Sequence, residues 1–263
     1  PRAAAAAAGP RAAPRSHSGP ICQPSAAASA MFVCRPNCQC ASERYQEEVV
    51  PATSSQYRRQ PREEVTFENG GKYTGQWLGN EPDGEGVQIW PDGGKYMGEF
   101  RAGKAEGYGT FEYTNGDVYV GVWVNDHAEG EGTCMHADGS TYKGEWVAGR
   151  QHGQATVTFR DGTKFVGQYK EGAKTGIGTF TFEGAKAGCS YDGQLADDTF
   201  HGRGVYTWSN GRRYEGQWRC GKMHGQGSFI FPDGRKYIGQ YEDDHKSGLG
   251  VFEWPDGRMY KGG

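Results

Sequence analysis

Residues 96–118 read YMGEFRAGKAEGYGTFEYTNGDV, and this 23-residue stretch decides the fold because the chain contains eight versions of it in a row. We number each repeat from its first aromatic residue, Tyr96 here, as position 0. The equivalent residues are Tyr73, Tyr96, Tyr119, Tyr142, Phe165, Tyr191, Tyr214 and Tyr237, and a ninth repeat begins at Tyr260. Every spacing is 23 residues except the 26 between Phe165 and Tyr191. A fixed period of roughly 20–50 residues indicates a repeat architecture.

The first half of each repeat has the alternation of a β-strand. Position 0 is aromatic, position +2 is glycine and position +4 is large, and side chains two residues apart lie on one face of a strand. We predict a packed face of aromatic rings over glycines, and the alternative for the same rings is a groove that binds a partner. The aromatic residues concerned are Tyr73, Trp77, Tyr96, Phe100, Tyr119, Trp123, Tyr142, Trp146, Tyr214, Trp218, Tyr237 and Tyr241.

The second half of each repeat supplies another short strand and a turn. Positions +11 and +13 are glycine, except for Ala155, and apolar residues alternate after them, as at Phe111 and Tyr113. Asp-Gly or Asn-Gly pairs then precede the next repeat, and these pairs favour type I′ hairpin turns. Each repeat is thus predicted to be strand, loop, strand and tight turn. One hairpin cannot bury its own face, so we predict an all-β, elongated single-layer antiparallel meander of eight stacked hairpins.

Two repeats depart from this pattern. Three extra residues lie within 183–190, and Leu195 stands at position +4 where an aromatic residue is usual, so we expect a local bend or bulge there. Residues 65–71 resemble the second strand and turn of a repeat and are predicted to cap the first hairpin. The domain prediction is a repeat array over residues 65–263, preceded by a separate segment over residues 1–60.

The order Tyr-x-Gly-x-Trp, then Gly-x-Gly, then Asp-Gly, at a period of 23, resembles the MORN (membrane occupation and recognition nexus) motif over residues 65–263. The resemblance implies a non-catalytic scaffold that assembles proteins near a membrane or the cytoskeleton. Similar arrays also precede phosphatidylinositol phosphate kinase or lysine methyltransferase domains. Since the chain starts at Pro1 and stops inside a repeat, we interpret it as cut, and the regulatory front of a truncated enzyme is an alternative.

The first 60 residues have a different composition. Residues 1–30 are rich in Ala and Pro and are predicted to be disordered, and residues 42–50 are predicted to form a short helix. If Met31 were the true start, Cys34, Cys38 and Cys40 would form an N-terminal cluster suited to S-acylation. Incidental free thiols are the main alternative, and zinc binding is a weaker one because a second pair of ligands is missing.

Charge and motifs argue against several function classes. The chain has 29 basic and 32 acidic residues, a net charge of −3, so we expect no nucleic-acid partner. The Gly-x-Gly pairs lack both a following helix and a Gly-Lys-Ser/Thr ending, so they do not predict a phosphate loop. His152, His201 and His224 are predicted to lie in exposed loops, about one repeat apart and too distant to share a metal. We therefore expect no catalytic residues, no metal and no cofactor.

Basic residues recur just before position 0. They predict an interrupted cationic row, densest in repeats six to eight, which is either an ordinary solvated face or a site for acidic phospholipid headgroups. The row comprises Lys72, Lys95, Lys164, Arg212, Arg213, Arg235, Lys236 and Arg258.

These observations predict an intracellular interaction module with protein partners, peripheral to a membrane, the cytoskeleton or a cilium. Direct binding of phosphoinositides is the alternative, and open sheet edges also favour a homodimer. The sequence has no apolar run of the roughly 20 residues that a membrane-spanning helix needs.

Overall fold

The computed structural model describes residues 58–263 as one antiparallel sheet of 18 strands. Each strand pairs with its neighbours in the sequence, so the sheet is a continuous meander. The strands are β1 (Gln60–Thr66), β2 (Lys72–Leu78), β3 (Glu81–Ile89), β4 (Lys95–Arg101), β5 (Lys104–Glu112), β6 (Val118–Val124), β7 (His127–Met135), β8 (Thr141–Val147), β9 (Arg150–Thr158), β10 (Lys164–Lys170), β11 (Ala173–Thr181), β12 (Ser190–Ala196), β13 (Thr199–Thr207), β14 (Arg213–Arg219), β15 (Lys222–Ile230), β16 (Lys236–Glu242), β17 (His245–Glu253) and β18 (Met259–Gly262).

The predicted all-β meander is confirmed. The prediction placed a loop inside each repeat and a tight turn between repeats, and the structure has the reverse. The tight two-residue turns lie inside each repeat at positions +6 and +7, as at Asn125-Asp126, where both residues have positive φ. The Asp-Gly and Asn-Gly pairs instead lie in five-residue loops between repeats, and only their glycine has positive φ. In the loop after β3, the Asp92 carboxylate accepts a hydrogen bond from the Gly94 N–H at 3.0 Å, and the Trp90 N–H donates to the Gly94 carbonyl at 2.8 Å. The aspartate occurs at this position because its side chain holds the loop, and a type I′ turn is not needed.

A bulge interrupts every hairpin between its two strands. In β14 and β15, Gly216 faces Gly227 and Gln217 faces His224, so Gly225 and Gln226 are two extra residues. The Gln217 side chain accepts a hydrogen bond from the Gln226 N–H at 2.8 Å, and the Tyr214 hydroxyl donates to the Gln217 carbonyl at 2.9 Å. Position +11 is therefore glycine because the bulge requires positive φ, +61° at Gly225. The predicted loop at this position is wrong, since these residues lie within strands.

Glycines at positions +2 and +13 form a row across the whole sheet. Gly98 faces Gly109 on β5, and Gly109 faces Gly121 on β6. The Tyr96 ring lies over Gly109, where an added Cβ would overlap the phenol. The row is glycine because each position-0 ring uses the space above the neighbouring strand.

The extra residues of repeat five are absorbed by a longer loop. A short 3₁₀ turn at Gly184–Lys186 lies in it, and the Phe182 N–H still donates to the Cys189 carbonyl at 3.0 Å. Phe180 still faces Tyr191, as Phe111 faces Tyr119 in an ordinary repeat. The bulge predicted beside Leu195 is present, and the other seven repeats have the same bulge.

The N-terminal cap agrees with the prediction. β1 pairs with β2, and the Phe67 N–H donates to the Gly71 carbonyl at 2.7 Å, as in the loops between repeats. The Arg59 guanidinium bonds to the Asp83 carboxylate at 2.6 Å, which ties this segment to the first complete repeat. The predicted helix at residues 42–50 and the Cys34, Cys38 and Cys40 cluster lie outside the described residues.

Candidate interaction surfaces

One face of the sheet is closed by its own aromatic rings, and we call it the aromatic face. Positions 0 and +4 of the eight complete repeats are buried, with no exposed fraction above 8%, whereas Tyr260 of the incomplete ninth repeat is exposed. This includes all twelve aromatic residues singled out in the sequence, so these rings pack against one another and do not form an exposed stripe for a partner.

The buried rings form a chain of edge-to-face contacts that runs from one repeat to the next. Trp123 packs edge-on against Tyr96 of the preceding repeat and against Tyr119 of its own, at centroid distances of 5.3 and 5.2 Å. The same alternation runs from Trp77 to Tyr169 and again from Tyr191 to Tyr241. Such edge-to-face pairs stabilise by about 0.5–1.5 kcal/mol each beyond area burial. Each repeat is therefore held to the next by one shared ring.

Repeat six has no ring at position +4, and a ring at position +9 takes its place. Leu195 is smaller than the usual residue at position +4, and Phe200 at position +9 faces it across the hairpin. Phe200 stacks on Tyr191 at 3.7 Å and contacts Phe180 of the preceding repeat at 5.8 Å, so Phe200 supplies the ring contact to the preceding repeat that position +4 makes elsewhere. Repeats two and three have the small Ala105 and Ala128 at position +9 below a large ring at +4, so in repeat six the large and small residues have changed places.

The histidines do not assemble a metal site. His152, His201 and His224 lie on β9, β13 and β15, at the position before the bulge glycine, and not in loops as predicted. Across residues 58–263, no group of three or more His, Cys, Asp or Glu side chains is placed to hold a metal ion.

The predicted cationic row is divided between two faces. Lys72, Lys95, Lys164, Arg213 and Lys236 directly precede position 0 and lie on the face opposite the buried rings, which we call the outer face. Three of the five have a carboxylate partner: Lys72 with Glu64 at 2.7 Å, Lys95 with Glu112 at 3.6 Å and Arg213 with Glu215 at 2.8 Å.

The other three basic residues belong to the aromatic side. Arg212, Arg235 and Arg258 lie over the rings of Trp208, Phe231 and Trp254, with distances of 5.4, 5.1 and 5.6 Å. Arg235 and Arg258 also pair with the loop aspartates Asp233 and Asp256 at 2.7 and 2.8 Å. One flat membrane surface therefore cannot contact all eight predicted residues through one face.

The outer face carries exposed apolar side chains that we did not single out from the sequence. Tyr108 and Ile177 are 61% and 64% exposed, and the valines of β6 alternate on this face opposite the buried Tyr119 and Trp123. The signal was present in the stretch Val118-Tyr119-Val120-Gly121-Val122-Trp123-Val124, in which every second residue is valine. The exposed or half-buried apolar residues of this face in the first half of the array include Leu78, Val87, Ile89, Met97, Tyr108, Val118, Val120, Val122, Val124, Met135 and Val147.

Two lysines on the aromatic side, Lys174, which is buried, and Lys246, which is exposed, also escaped the sequence analysis. Lys174 at position +9 lies among Phe159, Phe165 and Tyr169 and bonds to Asp198 at 3.0 Å. Lys246, at the same position three repeats later, lies over Tyr237 at 4.5 Å, and burial, with a smaller effect of Arg235, lowers the pKa of its amine. The available signal was that lysine occurs at +9 only where position +4 is tyrosine. Lys174 therefore fills part of the buried aromatic face, whereas Lys246 covers the rings near the C-terminal end and stays exposed.

Charge is segregated along the array although the whole chain is nearly neutral. Residues 81–145 contain thirteen acidic and four basic residues, whereas residues 203–236 contain seven basic and two acidic ones. The first half of the array is thus acidic and repeats six and seven are basic.

These features define a linear β-hairpin repeat protein with one closed face and one open face. The MORN repeat family matches the chain eight times, at residues 73–95, 96–118, 119–141, 142–164, 165–184, 191–212, 214–234 and 237–257. The matches cover more than half of the chain, and the protein belongs to the MORN repeat family. It is accordingly a repeat-based interaction module.

Other comparisons add little. Among curated proteins no relative matches the chain. Among solved structures it is similar to the TCP10 domain of Danio rerio CPAP, with 12% identity, a TM-score of 0.43, and coverage of 76% of this chain and 92% of that one. The SAS-4 (dCPAP) TCP domain of Drosophila melanogaster gives 12% identity, a TM-score of 0.27, and coverage of 88% and 98%. Virginiamycin B lyase from Staphylococcus aureus has 9% identity and a TM-score of 0.17, and the match covers 80% of this chain and 85% of that one. Likenesses this weak carry no functional argument.

A search for membrane-spanning helices among residues 58–263 finds none of sufficient length and apolarity.

Proposed function

We propose that this array is a non-catalytic scaffold that binds protein partners through its outer face. The observation that supports it is the exposure of Tyr108 and the β6 valines on a face whose opposite side is already filled by the chain's own rings. Contiguous exposed apolar side chains rimmed by charge are typical of protein-binding surfaces.

The arrangement of the outer face favours a protein over a small molecule. An open depression of about 350 Å³, lined by Tyr237, Phe252 and Tyr260, lies at the C-terminal end, away from the β6 valines. A flat, extended surface with scattered apolar anchors suits a macromolecular partner, whereas small ligands require a concave site.

The test compares partners captured by the full chain and by an outer-face variant. In Tyr108→Ser/Val122→Thr, two exposed anchors are removed without touching the buried rings. Arg160→Ser, on an exposed loop outside this face, is the matched control. We expect a set of proteins, recovered by proximity labelling, that is lost with the outer-face variant and retained with the control. Identical sets for all three chains would refute the proposal.

A second candidate is supported by the basic segment of residues 203–236. Arg203, Arg213, Arg219, Lys222 and Lys236 lie on strands of repeats six and seven, where an acidic lipid surface would be attracted. The split of the row makes the test specific. Flotation with phosphoinositide-containing vesicles should be lost in Arg213→Glu/Lys236→Glu and kept in Arg212→Glu/Arg235→Glu, which has the same charge change on the aromatic side. Equal flotation of both variants would exclude an outer-face lipid site.

A further inference from the structure

Repeat three departs from a rule that the other repeats follow at position +3. In six of them a glutamine or glutamate side chain at +3 accepts a hydrogen bond from the N–H of position +12, inside the bulge. In repeat four, Glu145 accepts from the Gln154 N–H at 2.8 Å, and in repeat five Gln168 accepts from the Ile177 N–H at 3.1 Å. Val122 has no acceptor atom, so the bulge of repeat three lacks this bond.

The valine that replaces the acceptor lies beside another exposed apolar side chain. Val122 on β6 directly faces Tyr108 on β5, and the two residues are 36% and 61% exposed. The chain has given up a hydrogen bond at Val122 without burying the side chain that took its place. Departures from a local rule that bring no gain to the free chain are expected at functional sites.

Two pairs of like charge lie on either side of this apolar pair. Glu85 on β3 faces Glu99 on β4, and Glu131 on β7 faces Glu145 on β8. The ion pairs of residues 58–263 do not include any of these four carboxylates. Like charges directly opposite each other in a sheet are destabilising. The same positions of later repeats carry no like-charged pair, since the facing residues there are Gln154 and Gln168, Ile177 and Gln194, Arg203 and Gln217, and Gln226 and Gln240.

We propose that Tyr108, Val122 and the two glutamate pairs form one docking site for a basic segment of a partner protein, in which an apolar side chain lies between two basic ones. The apolar side chain packs on Tyr108 and Val122, and each basic side chain pairs with one pair of glutamates. Such a partner supplies burial and counter-charge where the free array lacks them. This inference rests on the proposed function, because it names the chemistry of the partner that the outer face binds.

The strands set the spacing of the site. Neighbouring strands lie about 4.8 Å apart, so the midpoint of each glutamate pair is two strands, or about 10 Å, from the midpoint of the apolar pair. An extended chain covers about 10 Å in three residues. The fitting sequence is therefore basic–x–x–apolar–x–x–basic, laid across the strands. Residues 81–145, which surround the site, contain thirteen acidic and four basic residues, and this excess of negative charge also attracts a basic partner.

The test measures binding of a labelled peptide to the full chain by fluorescence anisotropy. The probe is the peptide Lys-Arg-Ser-Ser-Trp-Ser-Ser-Arg-Lys, and the control peptide has the same residues with the tryptophan moved to one end. We expect the probe to bind more tightly than the control peptide and its dissociation constant to rise with salt. No binding of the probe, or equal binding of the two peptides, would overturn the inference.

Charge variants test the glutamate pairs. Glu85→Gln/Glu131→Gln removes one carboxylate from each pair and keeps Glu145, which holds a bulge. It should raise the dissociation constant of the probe about tenfold, since two exposed ion pairs are lost. Its melting temperature should rise because the repulsion within each pair is relieved, so weaker binding is not a sign of misfolding. The control Glu242→Gln/Glu253→Gln, with the same charge change on the outer face of repeat eight, should bind like the parent. Equal binding by both variants contradicts the site.

A change at Val122 separates binding from stability. Val122→Gln restores the acceptor that the bulge has in six other repeats, so the new hydrogen bond offsets the lower strand preference of glutamine and the melting temperature should not fall. The dissociation constant of the probe should nevertheless rise severalfold. Gln168→Val, the reverse change at +3 of repeat five, is the matched control, and it should lower the melting temperature and leave binding unchanged. A Val122→Gln variant that binds the probe like the parent would count against the docking site.

The two proposals about the outer face fail separately. In the capture experiment, partners lost with Tyr108→Ser/Val122→Thr and retained with Glu85→Gln/Glu131→Gln would overturn the basic docking site and leave the scaffold function in place. Loss of the same partners with both variants is the result expected here.

Discussion

At the residue scale, the repeated glycines have two separate physical causes. Gly109 lies in the extended row where a side chain would overlap the Tyr96 ring, whereas Gly211 lies in a loop with φ of +82°, where an added Cβ would make only ordinary contacts. The first is fixed by packing and the second by backbone conformation. Substitution should therefore fail at both positions, for different reasons.

The packing requirement predicts that Gly109→Ala lowers the free energy of unfolding by about 1–3 kcal/mol, since the methyl overpacks the buried phenol. The reverse change in the same row, Ala155→Gly, should cost about 1 kcal/mol or less because it only adds backbone freedom. Urea unfolding of both variants, followed by tryptophan fluorescence, checks this. Equal small effects would show that Tyr96 can move aside.

The conformational requirement predicts that Gly211→Val costs about 1–2 kcal/mol, because a β-branched residue is strained at positive φ. Its added Cβ would meet Pro232 only at an ordinary 3.8 Å, so strain and not collision is the cause. Gly211→Asn should cost less, since asparagine tolerates this region. A melting temperature of Gly211→Val equal to or above that of Gly211→Asn would argue against the turn geometry.

At the element scale, the hairpins differ in how they fill one shared volume. Positions +4 and +9 face each other, and most repeats place a large residue at +4 and a smaller one at +9. Leu195 and Phe200 reverse the two, and Phe200 keeps a ring contact to Phe180 of the preceding repeat. The pair is therefore one unit of packing rather than two independent positions.

This coupling predicts non-additive stabilities. Phe200→Ala should cost about 3–5 kcal/mol by opening a cavity, and Leu195→Trp should cost about 1–3 kcal/mol by overpacking. The double variant reproduces the Trp123 and Ala128 arrangement of repeat three, so it should be more stable than the Phe200→Ala variant alone. A double-mutant cycle with no coupling energy would contradict the exchange.

At the scale of the whole molecule, the closed aromatic face buries many tyrosine side chains. Burial raises the pKa of Tyr73 to about 12, with nearby Asp83 adding to the effect. Burial also raises, above the usual 10, the pKa of Tyr96, Tyr142, Tyr169, Tyr191, Tyr206, Tyr214, Tyr237 and Tyr241. The folded array therefore holds protons that the unfolded chain releases near pH 10.

It follows that the array should unfold in alkali. Because the folded pKa values are raised, stability is present in full below about pH 10 and falls as the pH rises above it, since unfolding then releases protons. Tyrosinate absorbance and far-ultraviolet circular dichroism should change together in a pH titration. Ionisation of most phenols with the sheet signal intact would show that these rings are accessible.

Several features were predicted from residues alone because their cause is local. The period of 23 and the aromatic–glycine alternation are enough to predict hairpins, the meander and a packed face, since a strand has only two faces and one hairpin cannot bury its own. Family membership follows from the same residues. The turn types were predicted wrongly because Asp-Gly satisfies both a type I′ turn and a longer loop held by the aspartate side chain, and the backbone path on either side decides between them.

What the tertiary structure alone decided concerns residues that are distant in sequence. The bulge at position +11, the exchange of Leu195 and Phe200, and the enclosure of Lys174 depend on which strands lie side by side. The division of the basic residues depends on one residue of register, because Arg212 and Arg213 are adjacent in the chain yet lie on opposite faces. The sequence determines that there are two faces and which residues repeat on them. Only pairing and packing determine that one face is filled by its own rings, while apolar side chains of the other face stay exposed.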